Sequence, residues 1–163
     1  MNRKGFTLIE LLAVLVALGL ILGIGTFSIS SVVEKTKYNS EEAFVQTIKD
    51  AMDIYIASDD AKELFNPEET GCKQITFEDV IKSKFKPIKA DQLVNPANNK
   101  SCVPSGGVAG IQVIIYRNDN SSYYYKIAKN SLNGCFKYTI SATASDSINY
   151  ISNLEDPGNF VCS

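Results

Sequence analysis

The chain has 163 residues, with 16 Lys plus Arg, 18 Asp plus Glu, no His and no Trp, for a net charge of −2. That length implies one modest domain, and so small a charge argues against nonspecific nucleic-acid binding or an acidic tail. Without histidine there is no Ser-His-Asp triad, no Cys-His pair, no imidazole metal ligand and no neutral-pH imidazole switch. The apolar fraction of 45% is unevenly spread: 19 of the 28 residues from Phe6 to Val33 are apolar, against 53 of the 130 that follow. The chain reads as an apolar front end on a soluble body.

Leu11 to Val33 is a run of 23 residues without a charge. As a helix it would extend roughly 35 Å at about 1.5 Å per residue, enough for a bilayer core of roughly 30 Å. Lipid satisfies no backbone hydrogen bonds, so such a run must be helical. Arg3 and Lys4 precede it, which keeps the N-terminus cytoplasmic and exports the body. A secretory signal peptide would have a shorter apolar region and an A-x-A-like site; neither is present, and no nearby Cys invites lipidation. Glu10 is the anomaly. A carboxylate among Phe6, Leu8, Ile9 and Leu11 costs on the order of 2.5–3.5 kcal/mol at mid-bilayer and less near its edge. Either it is tolerated at the membrane edge, or it awaits a cation that must come from another molecule.

Met1-Asn2-Arg3-Lys4-Gly5 followed by Phe6-Thr7-Leu8-Ile9-Glu10 and an apolar run closely resembles the class III signal of type IV pilins and pseudopilins. The resemblance implies cleavage by a prepilin peptidase between Gly5 and Phe6 on the cytoplasmic face. It implies a new N-terminus at Phe6, typically N-methylated, and pairing of Glu10 with that amine on a neighbouring subunit during filament assembly. The amine is cationic near neutral pH and burial strengthens the attraction, so the pairing is physically sound. Many pilins carry a proline about where Phe27 stands. This chain has Gly19, Gly23 and Gly25 instead, each weakening a helix by roughly 1 kcal/mol relative to Ala or permitting close helix packing.

Helical periodicity continues past the apolar run. Phe44, Ile48, Ala51, Met52 and Tyr55 recur at steps of three and four, with Glu41, Glu42, Lys49, Asp50 and Asp53 interleaved, and predict an amphipathic segment. No Pro or Gly occurs from Thr26 to Phe65, so one helix from about Phe6 to about Ser58 is expected, with a break near Tyr38-Asn39-Ser40 as the alternative. Asn66-Pro67 ends it. Thr76-Phe77-Glu78-Asp79 reads as an N-cap opening a short helix to about Lys84, and Lys86 to Gly107 is loop-rich. Strands are expected at Ile111–Tyr116, Tyr123–Ala128 and Phe136–Ala142, joined by turns at Asn118-Asp119-Asn120 and Asn130 to Gly134. The expected fold class is α+β: a long N-terminal helix packed on a small antiparallel sheet, which is also the fold the pilin resemblance implies. The organisation reads as residues 1–5 leader, 6–33 transmembrane and assembly half of the helix, and 34–163 extracytoplasmic globular domain.

Cys72, Cys102, Cys135 and Cys162 all fall in the exported part, where an even count favours two disulfides over free thiols. No C-x-x-C pair supports a metal site. Three connectivities are open. The pairing favoured is Cys72–Cys102, stapling the loop after the helix, with Cys135–Cys162, which resembles the pilin habit of tying the C-terminal segment to the sheet. Asp146, Asn149, Asn153, Glu155, Asp156 and Asn159 are possible calcium ligands of the kind some pseudopilins use, but match no fixed spacing; a solvated loop from Ser145 to Ser163, open to recognition, is favoured. Tyr116 and Tyr123-Tyr124-Tyr125 alternate across a strand and read as sheet packing.

The resemblance implies a structural subunit, major or minor, of a type IV pilus-like filament, with no enzyme activity, metal or cofactor. Its implied partners are identical or related pilins in a helical filament, the prepilin peptidase, the cytoplasmic membrane before assembly and an inner-membrane assembly platform. It would be a single-pass membrane protein before assembly and a cell-surface pilus component after it. A minor pilin acting as an adhesin, or a secretion-system pseudopilin, is the alternative. Loss of Arg3 and Lys4 leaves 14 basic and 18 acidic residues, a net of −4, which disfavours nonspecific nucleic-acid binding, and no specific nucleic-acid partner is expected. An enzyme on a stalk would need paired carboxylates or a Ser-Lys dyad, and no spacing nominates either.

Overall fold

The computed structural model describes residues 7–137 and 150–153, with backbone alone at 24–28. A single helix, α1, covers Leu8–Ala57; it has no break at Tyr38-Asn39-Ser40. The chain divides into two compact units, Met1–Thr36 and Lys37–Ser163.

In the second unit, α1 contributes a stripe made of Phe44, Ile48, Ala51, Met52 and Tyr55, all buried, at the three- and four-residue spacing expected of an amphipathic helix. A short helix, α2 (Asp59–Lys62), follows after Ser58. The chain then forms strand β1 (Gly71–Thr76) and helix α3 (Phe77–Lys82). Thr76 caps α3 reciprocally with Asp79: the backbone N–H and hydroxyl of Thr76 both donate to Asp79 Oδ2, at 2.9 and 2.8 Å, a capping box. Two-residue strands β2 (Val94–Asn95) and β3 (Lys100–Ser101) pair with each other. Then come β4 (Gln112–Arg117), β5 (Tyr123–Ala128) and β6 (Tyr150–Ser152).

The sheet is antiparallel with the order β1-β4-β5-β6. The β4–β5 hairpin matches the two expected strands, and its turn closes where Asn118 Oδ1 accepts the Ser122 N–H at 2.8 Å. The third expected strand does not follow it directly. Phe136 and Lys137 are not in a strand, and the rest of Phe136–Ala142 lies outside the described residues. β5 pairs instead with β6 on one side, while β4 takes β1 on the other. β1 is not among the strands expected from the sequence, since Gly71-Cys72-Lys73-Gln74 has no apolar alternation; it becomes a strand by pairing along its whole length with β4, from Gly71↔Arg117 to Thr76↔Gln112.

Ile75, Val113, Ile115, Tyr125, Ile127 and Ile151 are all buried and form the inner face of the sheet, in one core with the α1 stripe, Phe77, Val80 and Leu132. As the alternation predicts, Tyr124 stands on the opposite face from Tyr125 and stacks on Tyr116, ring centroids 6.3 Å apart. The Tyr125 hydroxyl donates to the Lys49 carbonyl of α1 at 3.2 Å. Burial, then the carboxylate of Asp53, drives its pKa upward. Burial, with Asp79 and Asp60 adding to it, pushes Tyr55 up to about 12. Both phenols are thus held neutral by the fold, whereas an unfolded tyrosine ionises near 10. Between about pH 10 and 12 the unfolded state binds fewer protons than the folded one, so stability falls as pH rises through that window. Urea midpoints measured from pH 9 to 12 should therefore drop, and Tyr55→Phe should flatten the decline.

Two expectations need correction. Glu41 was grouped with the polar face of the helix, but it lies three residues before Phe44, on the buried stripe itself, and is 0% exposed. Its Oε1 accepts the Lys137 N–H at 2.8 Å, tying the segment after Cys135 to α1. Phe136 stacks on Phe44 beside it, at 6.0 Å. Burial holds the pKa of the half-buried Lys129 low, with Glu41 opposing the effect and Lys49 adding to it. Removing a buried acceptor leaves its donor unsatisfied, so Glu41→Ala should lower unfolding stability by about 2–4 kcal/mol in urea titrations. Glu41→Gln, which retains an acceptor oxygen, should cost less.

The second correction is the disulfide pairing. Cys102 is bonded to Cys135, with Cα atoms 5.1 Å apart, which excludes both Cys72–Cys102 and Cys135–Cys162. Cys72 is itself in a disulfide, and Cys162 lies outside the described residues. The reason is a set of long-range contacts invisible to spacing. The side-chain amides of Asn95 and Asn98 donate to the Cys135 carbonyl at 2.9 and 2.8 Å. Lys100 Nζ donates to the Gly134 carbonyl at 3.0 Å, and the Asn133 amide donates to the Ser101 carbonyl at 3.2 Å. Two successive left-handed residues, Asn133 (φ 55°) and Gly134 (φ 56°), turn the chain so that Cys135 meets Cys102; asparagine and glycine are the residues that adopt this conformation most cheaply.

Candidate processing and assembly segment

In the first unit, Thr7 stands immediately before α1 and Glu10 is in its first turn. The Thr7 backbone N–H and hydroxyl both donate to Glu10 Oε2 at 2.9 Å, and the Glu10 N–H donates to Thr7 Oγ1 at 3.4 Å. This is a capping box: two of the four helix-end donors are satisfied reciprocally, and the acid faces the positive end of the helix dipole. Neither reading of Glu10 from the sequence, a charge tolerated at the membrane edge or one awaiting an external cation, includes this cap. The Thr-x-x-Glu spacing was the available signal. Among the described residues no Lys or Arg pairs with Glu10.

Every large apolar side chain from Leu8 to Leu22 is 50% or more exposed, Leu8 reaching 86%. A helix apolar on all sides is stable only where lipid or protein surrounds it. Gly19 and Gly23 have no atom within 4 Å of where a Cβ would stand. Among the described residues no helix is long and apolar enough to cross a membrane: Leu8–Gly23 extends about 24 Å at about 1.5 Å per residue, short of roughly 30 Å, whereas the sequence runs on without charge to Val33.

The model of the prokaryotic N-terminal methylation motif matches residues 1–26. The chain therefore carries the class III signal peptide found in type IV pilins and pseudopilins, and the motif supports a precursor of that kind. No curated protein and no solved structure matches the chain. Together with the long helix packed with a four-stranded antiparallel sheet, the architecture is an α+β, pilin-like fold.

Gly5 and Phe6, the expected cleavage site, lie outside the described residues, as do Asp146, Asn149, Glu155, Asp156 and Asn159. Asn153 is described and is engaged with the sheet: its Oδ1 accepts the Tyr125 N–H at 2.9 Å and its Nδ2 donates to the Tyr123 carbonyl at 3.3 Å. Among the described residues no group of three or more acidic, Cys or His side chains is arranged to hold a metal ion.

Proposed function

We propose that this chain is a subunit of a type IV pilus-like filament, inserted first as a single-pass precursor with its N-terminus in the cytoplasm. Prepilin peptidase removes residues 1–5, Phe6 becomes the methylated N-terminus, and the subunit polymerises through its N-terminal helix. In the filament Glu10 pairs with the Phe6 amine of a neighbour, and residues 34–163 form the outward-facing domain. An inner-membrane platform drives the transfer.

The observation that carries this reading is the helix led by the methylation motif and apolar on every side from Leu8 to Leu22. The acidic residue at its head supports assembly over simple anchoring, because an anchor gains nothing from a charge that lipid disfavours. Transfer from lipid to a filament core keeps the apolar surface covered while replacing lipid contacts by helix–helix packing, to which Gly19 and Gly23 offer close approach.

Antibody against residues 60–163, visualised by immunogold on filaments sheared from cells, tests the proposal. Gold along the filament shaft is the expected result; gold confined to the cell envelope would contradict it. Regular dense labelling identifies a bulk subunit, and sparse or terminal labelling identifies the minor-pilin alternative.

A further inference from the structure

The turn after α3 carries a feature that neither processing nor polymerisation requires. Phe85 is 61% exposed, although large aromatic side chains normally supply core. It stands between Lys84 and Lys86, with Lys82 and Lys89 close in sequence, and all four lysines are exposed. No acidic residue occurs between Asp79 and Asp91. Lys82 is ion-paired with Glu78; the ammonium groups of Lys84, Lys86 and Lys89 form no ion pair with a described residue.

The turn is built rather than loose. Its base is fixed by the Lys84 N–H donating to Asp60 Oδ2 at 2.8 Å and the Lys86 N–H donating to the Ser83 carbonyl at 3.0 Å. On one side Val80 is fully buried, and on the other Ile88 is 3% exposed. Lys86 has a φ of 45°, a left-handed conformation that glycine or asparagine would adopt more cheaply. A charged residue is thus kept at a backbone position that does not favour it, beside the exposed ring.

We propose that this Lys-Phe-Lys tip is a contact site for an anionic phospholipid surface, with Phe85 entering the headgroup–acyl boundary and Lys84, Lys86 and Lys89 attracted by lipid phosphates. An aromatic ring flanked by long cationic side chains is the composition that partitions into such an interface. Three lysines raise affinity for an anionic surface by about fivefold each when close to it. The charge balance favours lipid over nucleic acid. The chain carries a net −2, and a nucleic acid running across the body would meet its acids, whereas a lipid surface needs the tip alone. The proposed membrane anchor raises the local concentration of lipid around the tip, and the argument rests on that reading only for this enhancement.

The chain has no Trp, so Phe85→Trp places a single fluorescent reporter at the tip. The full chain carrying F85W is mixed from detergent with vesicles of phosphatidylcholine, or of phosphatidylcholine and phosphatidylglycerol in equal parts. The expected result is a shift of emission to shorter wavelength, and quenching by brominated lipid, with the anionic vesicles alone. Both effects should be lost at about 1 M salt, where the Debye length is ~3 Å, and in an F85W chain that also carries K84E, K86E and K89E. Equal spectra in the two vesicles, or a shift with single-stranded oligonucleotide but not with anionic lipid, would overturn the proposal. Flotation with the vesicles reports the helix separately: failure to float with phosphatidylcholine contradicts the anchor and leaves the tip readout intact.

Discussion

Glu10→Ala is expected to insert in the membrane normally and to disappear from filaments, with incorporation reduced at least tenfold. Insertion survives because the backbone of an apolar helix is satisfied internally, and loss of a carboxylate lowers the cost of burial in lipid. Two contributions vanish with the side chain. One is the reciprocal cap with Thr7, worth about 1 kcal/mol. The other is the proposed pairing with a neighbour's α-amine, whose loss would leave a cation unpaired in an apolar filament core at a cost of about 3–5 kcal/mol. Glu10→Gln separates them. Its amide oxygen can still complete the capping box but carries no charge, so it should fail to assemble nearly as completely as alanine. Incorporation is read by immunoblot of sheared filaments against the membrane fraction. Glutamine at the wild-type level would mean that the cap suffices and that the intermolecular ion pair is not needed.

Cys102→Ser should lower the stability of the globular unit by about 3–4 kcal/mol, the chain-entropy value for a closed loop of this size, since the bonded cysteines are 33 residues apart. The native contacts around the bond should persist, because Asn95, Asn98, Lys100 and Asn133 hold the 133–135 backbone independently of the sulfurs. The effect therefore falls mainly on the unfolded chain. The circular dichroism spectrum should be unchanged, while the urea midpoint falls by roughly 2 M for a slope of about 1.5–2 kcal/mol per M. The variant lacking both Cys102 and Cys135 should match the single variant. Tris-carboxyethylphosphine should destabilise the wild-type chain at least as much, since Cys72 is also in a disulfide.

The parts of this fold legible in the sequence are those that local rules determine. Phe44, Ile48, Ala51, Met52 and Tyr55 name the buried stripe of α1 by spacing alone. The β-branched run Val113-Ile114-Ile115 and the turn at Asn118 identify the hairpin, and Thr76 with Asp79 marks the start of α3. What stayed hidden depends on partners far along the chain. β1 has one buried residue, Ile75, and is a strand because β4 lies beside it; β propensity follows such context more than composition. Glu41 violates the stripe it occupies, and the Lys137 N–H that donates to it comes from far along the chain. The Cys102–Cys135 bond follows from asparagine side chains that hold two loops together, which no cysteine spacing encodes. The Thr7–Glu10 cap is a different case, since its motif was present in plain view beside a more conspicuous charge.

The central claim, that the chain is a prepilin processed at Gly5 and matured at Phe6, is tested most directly by the mass of the N-terminal peptide recovered from cells that contain a prepilin peptidase. The account predicts a peptide beginning at Phe6 and carrying one methyl group on its α-amine, with residues 1–5 absent. A peptide that still begins at Met1, or one that begins beyond Val33 after removal of the whole apolar run, would contradict it.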